Sequence, residues 1–320
     1  MKKKLPNILF GLIFLIGFGI FAYPKVADQW NTLHQSQAIA TYDDAVKELD
    51  EEDYSQIWEA ARNYNAKITS NTFGGDIFTA ADAGDGQEAA GDEKDKEIAL
   101  EETEYWKVLN VGETGIMGYL SVPKIKQKFP IYHGTSEGVL QIAAGHLPGT
   151  KLPIGGESCH SAIAAHRGLP SAKLLSDADQ LRVGDKFYIH VLDEVLAYQI
   201  DQILPMVDKD DLEALTDAMQ IVEGKDYVTL LTCTPYGINS HRMLLRGIRV
   251  PYNGEDDEKA LTPVDSMVES VQSYYMLYLM MAAFIILMIL LLSKIRIAVY
   301  NRKHKGNKEI TDPSRREKDE

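Results

Sequence analysis

One stretch narrows what this chain can fold into more than any other: Tyr227 to Val250, reading YVTLLTCTPYGINSHRMLLRGIRV. An apolar run (Val228, Leu230, Leu231) leads into Thr232-Cys233-Thr234-Pro235. A turn follows at Tyr236-Gly237-Ile238-Asn239-Ser240, and a second apolar run returns from Met243 to Val250. Two apolar runs around a short turn predict a β-hairpin. The hairpin places Cys233 at the end of one strand and Arg242 near the start of the next, where their side chains meet across the pair. A fixed guanidinium favours the thiolate of a neighbouring cysteine and binds a developing oxyanion, so the pair predicts a chemical site.

The two ends of the chain carry a different signal. Lys2-Lys3-Lys4 precedes an apolar run from Leu5 to Tyr23, and no small-residue cleavage pattern follows it. This predicts an uncleaved membrane anchor over 1–23. A second run, Tyr274 to Leu292, has no charge, is long enough for a spanning helix, and is followed by Lys294, Arg296, Arg302, Lys303, Lys305 and Lys308. Basic flanks stay in the cytoplasm, so both termini are expected inside and the middle outside, in a multi-pass protein of the cell membrane. The formal net charge is −14 although both ends are basic, so the middle is strongly acidic. Such a surface is a poor partner for nucleic acid.

Between the ends, residues 24–70 show three- and four-residue apolar steps (Val46, Leu49, Ile57, Trp58, Ala61, Tyr64) and are expected to form a helical stalk. Residues 71–104 are rich in Gly, Asp, Glu and Ala and read as an acidic loop. From 105 to 252 seven or eight short strands are expected with few helices, the fold of a closed or nearly closed β-barrel. The clearest strands are 118–123, 128–132, 161–165, 186–191, 195–203, 227–232 and 243–250. Short helices are expected at 171–176 and at 210–219, the latter capped by Asp208 or Asp210. Residues 253–273 form a linker, 274–292 the second span, and 293–320 a charged cytoplasmic tail.

Cys233 is the candidate nucleophile, against the commoner reading of a buried structural cysteine. His166, at the end of a strand in Ala164-Ala165-His166-Arg167-Gly168, is the candidate acid/base, with its ring expected to be exposed at the barrel edge. Histidine alone titrates unperturbed near neutrality. His241 competes, but it neighbours Arg242 on a strand and faces the other way. Arg242 keeps its proton, so it is expected to hold the substrate carbonyl and the oxyanion rather than act as a base. With ordinary pKa values, about 1% of molecules at pH 7 hold thiolate and imidazolium together. Arg246 lies too far along the strand and reads as structural. Zinc is the rival chemistry: Cys159, His160, His166 and Cys233 are ligand types, but their spacing matches no zinc pattern. No metal and no cofactor is assigned. His146 and Cys159 read as structural.

The segment Thr-Leu-Leu-Thr-Cys-Thr-Pro-Tyr-Gly-Ile-Asn-Ser-His-Arg, with the later Arg-Gly, resembles the nucleophile strand of the sortases, most closely those of class C, which polymerise pilins. The likeness runs over roughly residues 110 to 252 plus the membrane segments. It implies an eight-stranded sortase-type barrel with Cys233, His166 and Arg242 as its catalytic residues. It also implies cleavage of an LPXTG-like sorting signal through a thioacyl-enzyme on Cys233. The acyl group then passes to an amine, for class C a pilin lysine. A housekeeping sortase that anchors proteins to the cell wall, and a plain cysteine peptidase using water, are the alternatives. Class C sortases carry a lid with Asp-Pro-aromatic; the nearest match here is Asp76-Ile77-Phe78, making Asp76 and Phe78 the candidate lid residues.

Overall fold

The computed structural model describes residues 5–71 and 103–254, together with part of 275–300. Residues 1–263 and 264–320 form two separate units. In the second, the described residues between 275 and 300 are helical.

The first unit is built on a closed eight-stranded barrel. Its strands are β1 (Ile116–Val122), β2 (Gln127–His133), β3 (Ala144–His146) and β4 (Cys159–Ala165). They continue with β5 (Lys186–Val191), β6 (Glu194–Asp208), β7 (Asp226–Thr234) and β8 (His241–Val250). Around the barrel the order is β1-β2-β3-β4-β7-β8-β6-β5. The pairs β2–β3 and β4–β7 are parallel and the other neighbours antiparallel. Closure leaves no unpaired sheet edge.

Alternate residues of the strands face opposite sides. Ile163, Leu230 and Leu245 join Leu120, Phe129, Ile131, Phe187, Ile189 and Tyr198 in the main core. Their neighbours Ala162, Ala164, Leu231, Cys233 and Leu244 belong to a second cluster on the other face. That second face is buried because two short helices lie on it, α4 (Glu137–Leu140) through Leu140 and α5 (Leu212–Ala218) through Leu215. β1 is buried along its whole length. Gly118 is required there: a Cβ would lie 2.2 Å from the His190 carbonyl oxygen.

Two longer helices precede the barrel, α1 (Leu5–Lys47) and α2 (Glu51–Lys67), and a single turn, α3 (Glu104–Lys107), leads into it. α2 starts on an Asp50 cap that accepts from the Asp53 amide at 2.8 Å, with Glu51 and Glu52 at the positive end of the helix dipole. The expected stalk is a buttress. Ile39, Tyr42, Trp58 and Ala61 are part of the main core. The buried Tyr42 hydroxyl donates to the Met117 carbonyl at 3.0 Å and accepts from the Leu192 amide at 2.8 Å. The Asn65 side chain does the same with both backbone groups of Leu152.

Four expectations change. Residues 171–176 form turns, with a 3-10 helix only at Ala178–Gln180, because Leu174 takes a positive φ of 39°. The cap of α5 is Asp211, which accepts from the Ala214 amide at 3.0 Å; Asp208 still belongs to β6. β6 continues past 203, since a register shift between Leu204 and Val207 accommodates Pro205 without ending the ladder. β3 escaped notice because three residues carry too little alternation to read. Among the described residues no helix is long and apolar enough to cross a membrane, so the two expected spans find no support there. The candidate lid at Asp76 and Phe78 falls outside the described residues.

Candidate active site

The hairpin forms as its sequence requires. β7 pairs with β8 so that Cys233 stands directly opposite Arg242. On its other side β7 runs parallel to β4, with Ala164 opposite Leu231. Two positions farther along the chain stand His166, one residue past the end of β4, and Cys233, still within β7. Adjacent strands lie about 4.8 Å apart. The register therefore sets His166, Cys233 and Arg242 in one row across three neighbouring strand ends, on the face that carries the second core cluster. Residues far apart in the chain meet because of strand order, not local sequence.

All three are buried. For His166 this differs from the exposed ring expected at a barrel edge. The loop after β4 folds back, so that the His166 carbonyl accepts from the Leu175 amide at 3.2 Å. From the other side α4 brings Glu137, whose Oε2 is 4.0 Å from His166 Nε2. Arg242 is held by its own turn: Nη1 donates to the carbonyls of Asn239 at 2.9 Å and His241 at 3.1 Å. Asn239 can present its carbonyl there because it adopts a left-handed φ of 60°, while its amide donates to the Pro235 carbonyl. His241 pairs with Thr234 and lies 2.8 Å through Nδ1 from Ser240 Oγ.

Arg167 is a contributor the sequence reading passed over. Its guanidinium donates to Thr234 Oγ1 at 3.3 Å and to the Ser176 carbonyl at 3.3 Å, and it pairs with Asp179 at 3.0 Å. It also lies over the Tyr236 ring at 5.9 Å. Arg167 thus ties the residue after His166 to the residue after Cys233. Gly168 makes this possible, with a left-handed φ of 86° and a Cβ position that would lie a tight 3.2 Å from the Tyr236 ring. Its place next to His166 in the chain was the available signal.

The remaining candidates take structural roles. Arg246 forms a two-pronged ion pair with Asp201 at 3.0 and 2.8 Å and covers the Tyr227 ring at 4.4 Å. His146 is buried against the Tyr105 hydroxyl and the Lys151 carbonyl, at 2.9 Å from each, and burial pushes its pKa down to about 3. Both cysteines are free and buried. Cys159 donates to the Leu152 carbonyl at 3.7 Å, and burial pushes its thiol up to about 12, so it stays protonated. Among the described residues no group of three or more His, Cys, Asp or Glu could hold a metal ion.

A cysteine paired in register with an arginine, with a histidine just past the end of the neighbouring strand, is an arrangement for acyl transfer through a thioester. Known proteins agree. Residues 120–250 match the sortase domain family. Sortase C of Streptococcus pneumoniae is 42% identical, with a TM-score of 0.56 over 68% of this chain and 97% of that one. Sortase C1 of Streptococcus agalactiae is 45% identical, with a TM-score of 0.55 over 68% of this chain and all of that one. Sortase A of Bacillus anthracis is 26% identical over 134 residues, which are 41% of this chain and 59% of that protein. The chain therefore spans less than two thirds of that curated relative. A barrel with this strand order, the Cys233–Arg242 pairing and over 40% identity to the streptococcal enzymes place the chain in the sortase family of cysteine transpeptidases, with class C sortases as its solved neighbours.

Proposed function

We propose that this sortase assembles pili at the outer face of a membrane, with Cys233 as nucleophile, His166 as acid/base and Arg242 as the stabiliser of the oxyanion. The placing of Cys233 on β7 opposite Arg242 on β8, with His166 just past the end of the adjoining β4, supports the reading. The Cys233 thiolate attacks the carbonyl after the Thr of an LPXTG-like sorting signal. Arg242 faces the oxygen on which charge develops, in a buried setting where that charge is poorly screened. His166 gives a proton to the departing Gly amine. The C–N bond breaks and a thioacyl-enzyme remains. A pilin lysine then attacks the thioester, His166 takes a proton from it, and Cys233 leaves. Likeness to the pneumococcal sortase C, an enzyme with a pilin substrate specificity, supports the choice of substrate.

Membrane attachment is part of the same proposal. Ile13, Phe14, Ile16, Ile20 and Phe21 of α1 are exposed, as side chains that face lipid would be. Lys2–Lys4 and the basic cluster after 293 favour both ends inside.

The test is amine dependence. The full chain in detergent is given a peptide bearing an LPXTG-like signal, with and without a lysine-bearing acceptor. A lysine-linked conjugate as the main product is expected. Hydrolysis to the free carboxylate at the same rate, whatever the acceptor concentration, would make the protein a peptidase instead.

A further inference from the structure

Glu137 starts α4, and its Oε1 accepts from the Gln141 side chain. Its Oε2 is buried and, among the described residues, has no hydrogen-bond partner. A buried acceptor left unmade costs roughly 1–3 kcal/mol, more when charged, so such an atom calls for a role. Oε2 lies 4.0 Å from His166 Nε2, too far for a direct hydrogen bond. The segment is not free to drift: Gln35 of α1 donates to the Ile142 carbonyl just beyond α4 at 2.5 Å.

We infer that Glu137 and His166 together form the subsite for the acceptor's ammonium group. A nitrogen placed about 2.8 Å from each of Oε2 and Nε2 spans the 4.0 Å between them at an angle of about 90°. An amine nitrogen can donate in both directions at once. The order along the site is then Arg242, Cys233, His166, Glu137. The cationic end faces the acyl oxygen and the anionic end faces the incoming amine. A lysine side chain arrives protonated at neutral pH. Glu137 holds it in that form and keeps it beside the one group able to remove a proton.

The inference rests on the roles given above to Cys233 and His166. In the step itself His166 takes one proton from the bound ammonium, and the nitrogen lone pair attacks the thioester carbon. The C–N bond forms and the C–S bond breaks. The second proton lost from nitrogen goes to the departing sulfur, so that imidazolium, thiol and amide balance the ammonium, imidazole and thioester consumed.

Two acceptors separate this role from simple support of His166: a lysine-bearing peptide, charged at neutral pH, and hydroxylamine, which is uncharged. The full chain in detergent is first acylated with the sorting-signal peptide, and the release rate is read with each acceptor. Glu137→Gln keeps the shape and the Gln141 contact. It should lower the ratio of the lysine rate to the hydroxylamine rate tenfold or more, through a raised KM for the lysine peptide. Glu137→Asp should recover part of the ratio. An unchanged ratio, including equal losses with both acceptors, would overturn the subsite. Absence of any adduct on the unaltered chain would instead overturn the role of Cys233, and the subsite with it.

Discussion

Arg167 is the residue whose contribution is easiest to separate from the chemistry. It touches none of the three candidate catalytic side chains through the bonds described, yet it binds Thr234 and Ser176 and pairs with Asp179. Its work is to hold the loop after His166 against the end of β7. Arg167→Ala should lower kcat about tenfold or more and leave the KM for the sorting-signal peptide within about threefold, because a small misplacement of reacting groups costs rate. Arg167→Lys should recover little, since an ammonium cannot reach three partners in a plane. Asp179→Asn should cost far less, since Asp179 is largely exposed and such pairs contribute about 0–1 kcal/mol. Steady-state kinetics of the full chain decides. A KM effect without a kcat effect would assign Arg167 to substrate contact.

At the level of elements, legibility followed sequence distance. The Cys233–Arg242 pairing was readable because the turn at 236–240 fixes the register of the hairpin. The neighbourhood of His166 and Cys233 was readable only through family likeness. It depends on a parallel pairing of β4 with β7 across more than sixty residues. The burial of His166 was not readable at all: Glu137, 29 residues upstream, approaches it from another element. The helical stalk was recognised as helix, but its docking was not, because one tyrosine hydroxyl leaves no periodic trace. Tyr42→Phe tests that docking. It removes a donor to Met117 and an acceptor for Leu192 in a buried place. Two backbone groups left unpaired should cost about 2–4 kcal/mol. The midpoint of thermal unfolding should then fall by roughly 4 °C or more. An unchanged midpoint would mean that α1 contributes nothing to the barrel's stability.

Across the whole molecule, the pH response follows from buried histidines. Burial pushes His146 to about 3 and His160 to about 4, and lowers His133 as well. Each is neutral when folded but takes a proton near 6.5 once unfolded. The unfolded chain therefore binds more protons below that pH. The stability these groups contribute is complete above about 6.5 and is lost as pH falls towards their folded values. At pH 4.5 His146 alone accounts for roughly 2–3 kcal/mol. Thermal unfolding midpoints should drop steadily from pH 7 to pH 4.5. A flat profile would show that the unfolded chain gains no protons there.

In the proposed reaction the sulfur of Cys233 carries the acyl group. The most direct measurement is the intact mass of the full chain after brief exposure to a peptide with an LPXTG-like signal and no amine, followed by mapping of the modified residue. An added acyl fragment in thioester linkage on Cys233 is expected, absent in Cys233→Ala and strongly reduced in Arg242→Lys. An adduct on Cys159, or peptide cleavage at an undiminished rate in Cys233→Ala, would contradict this.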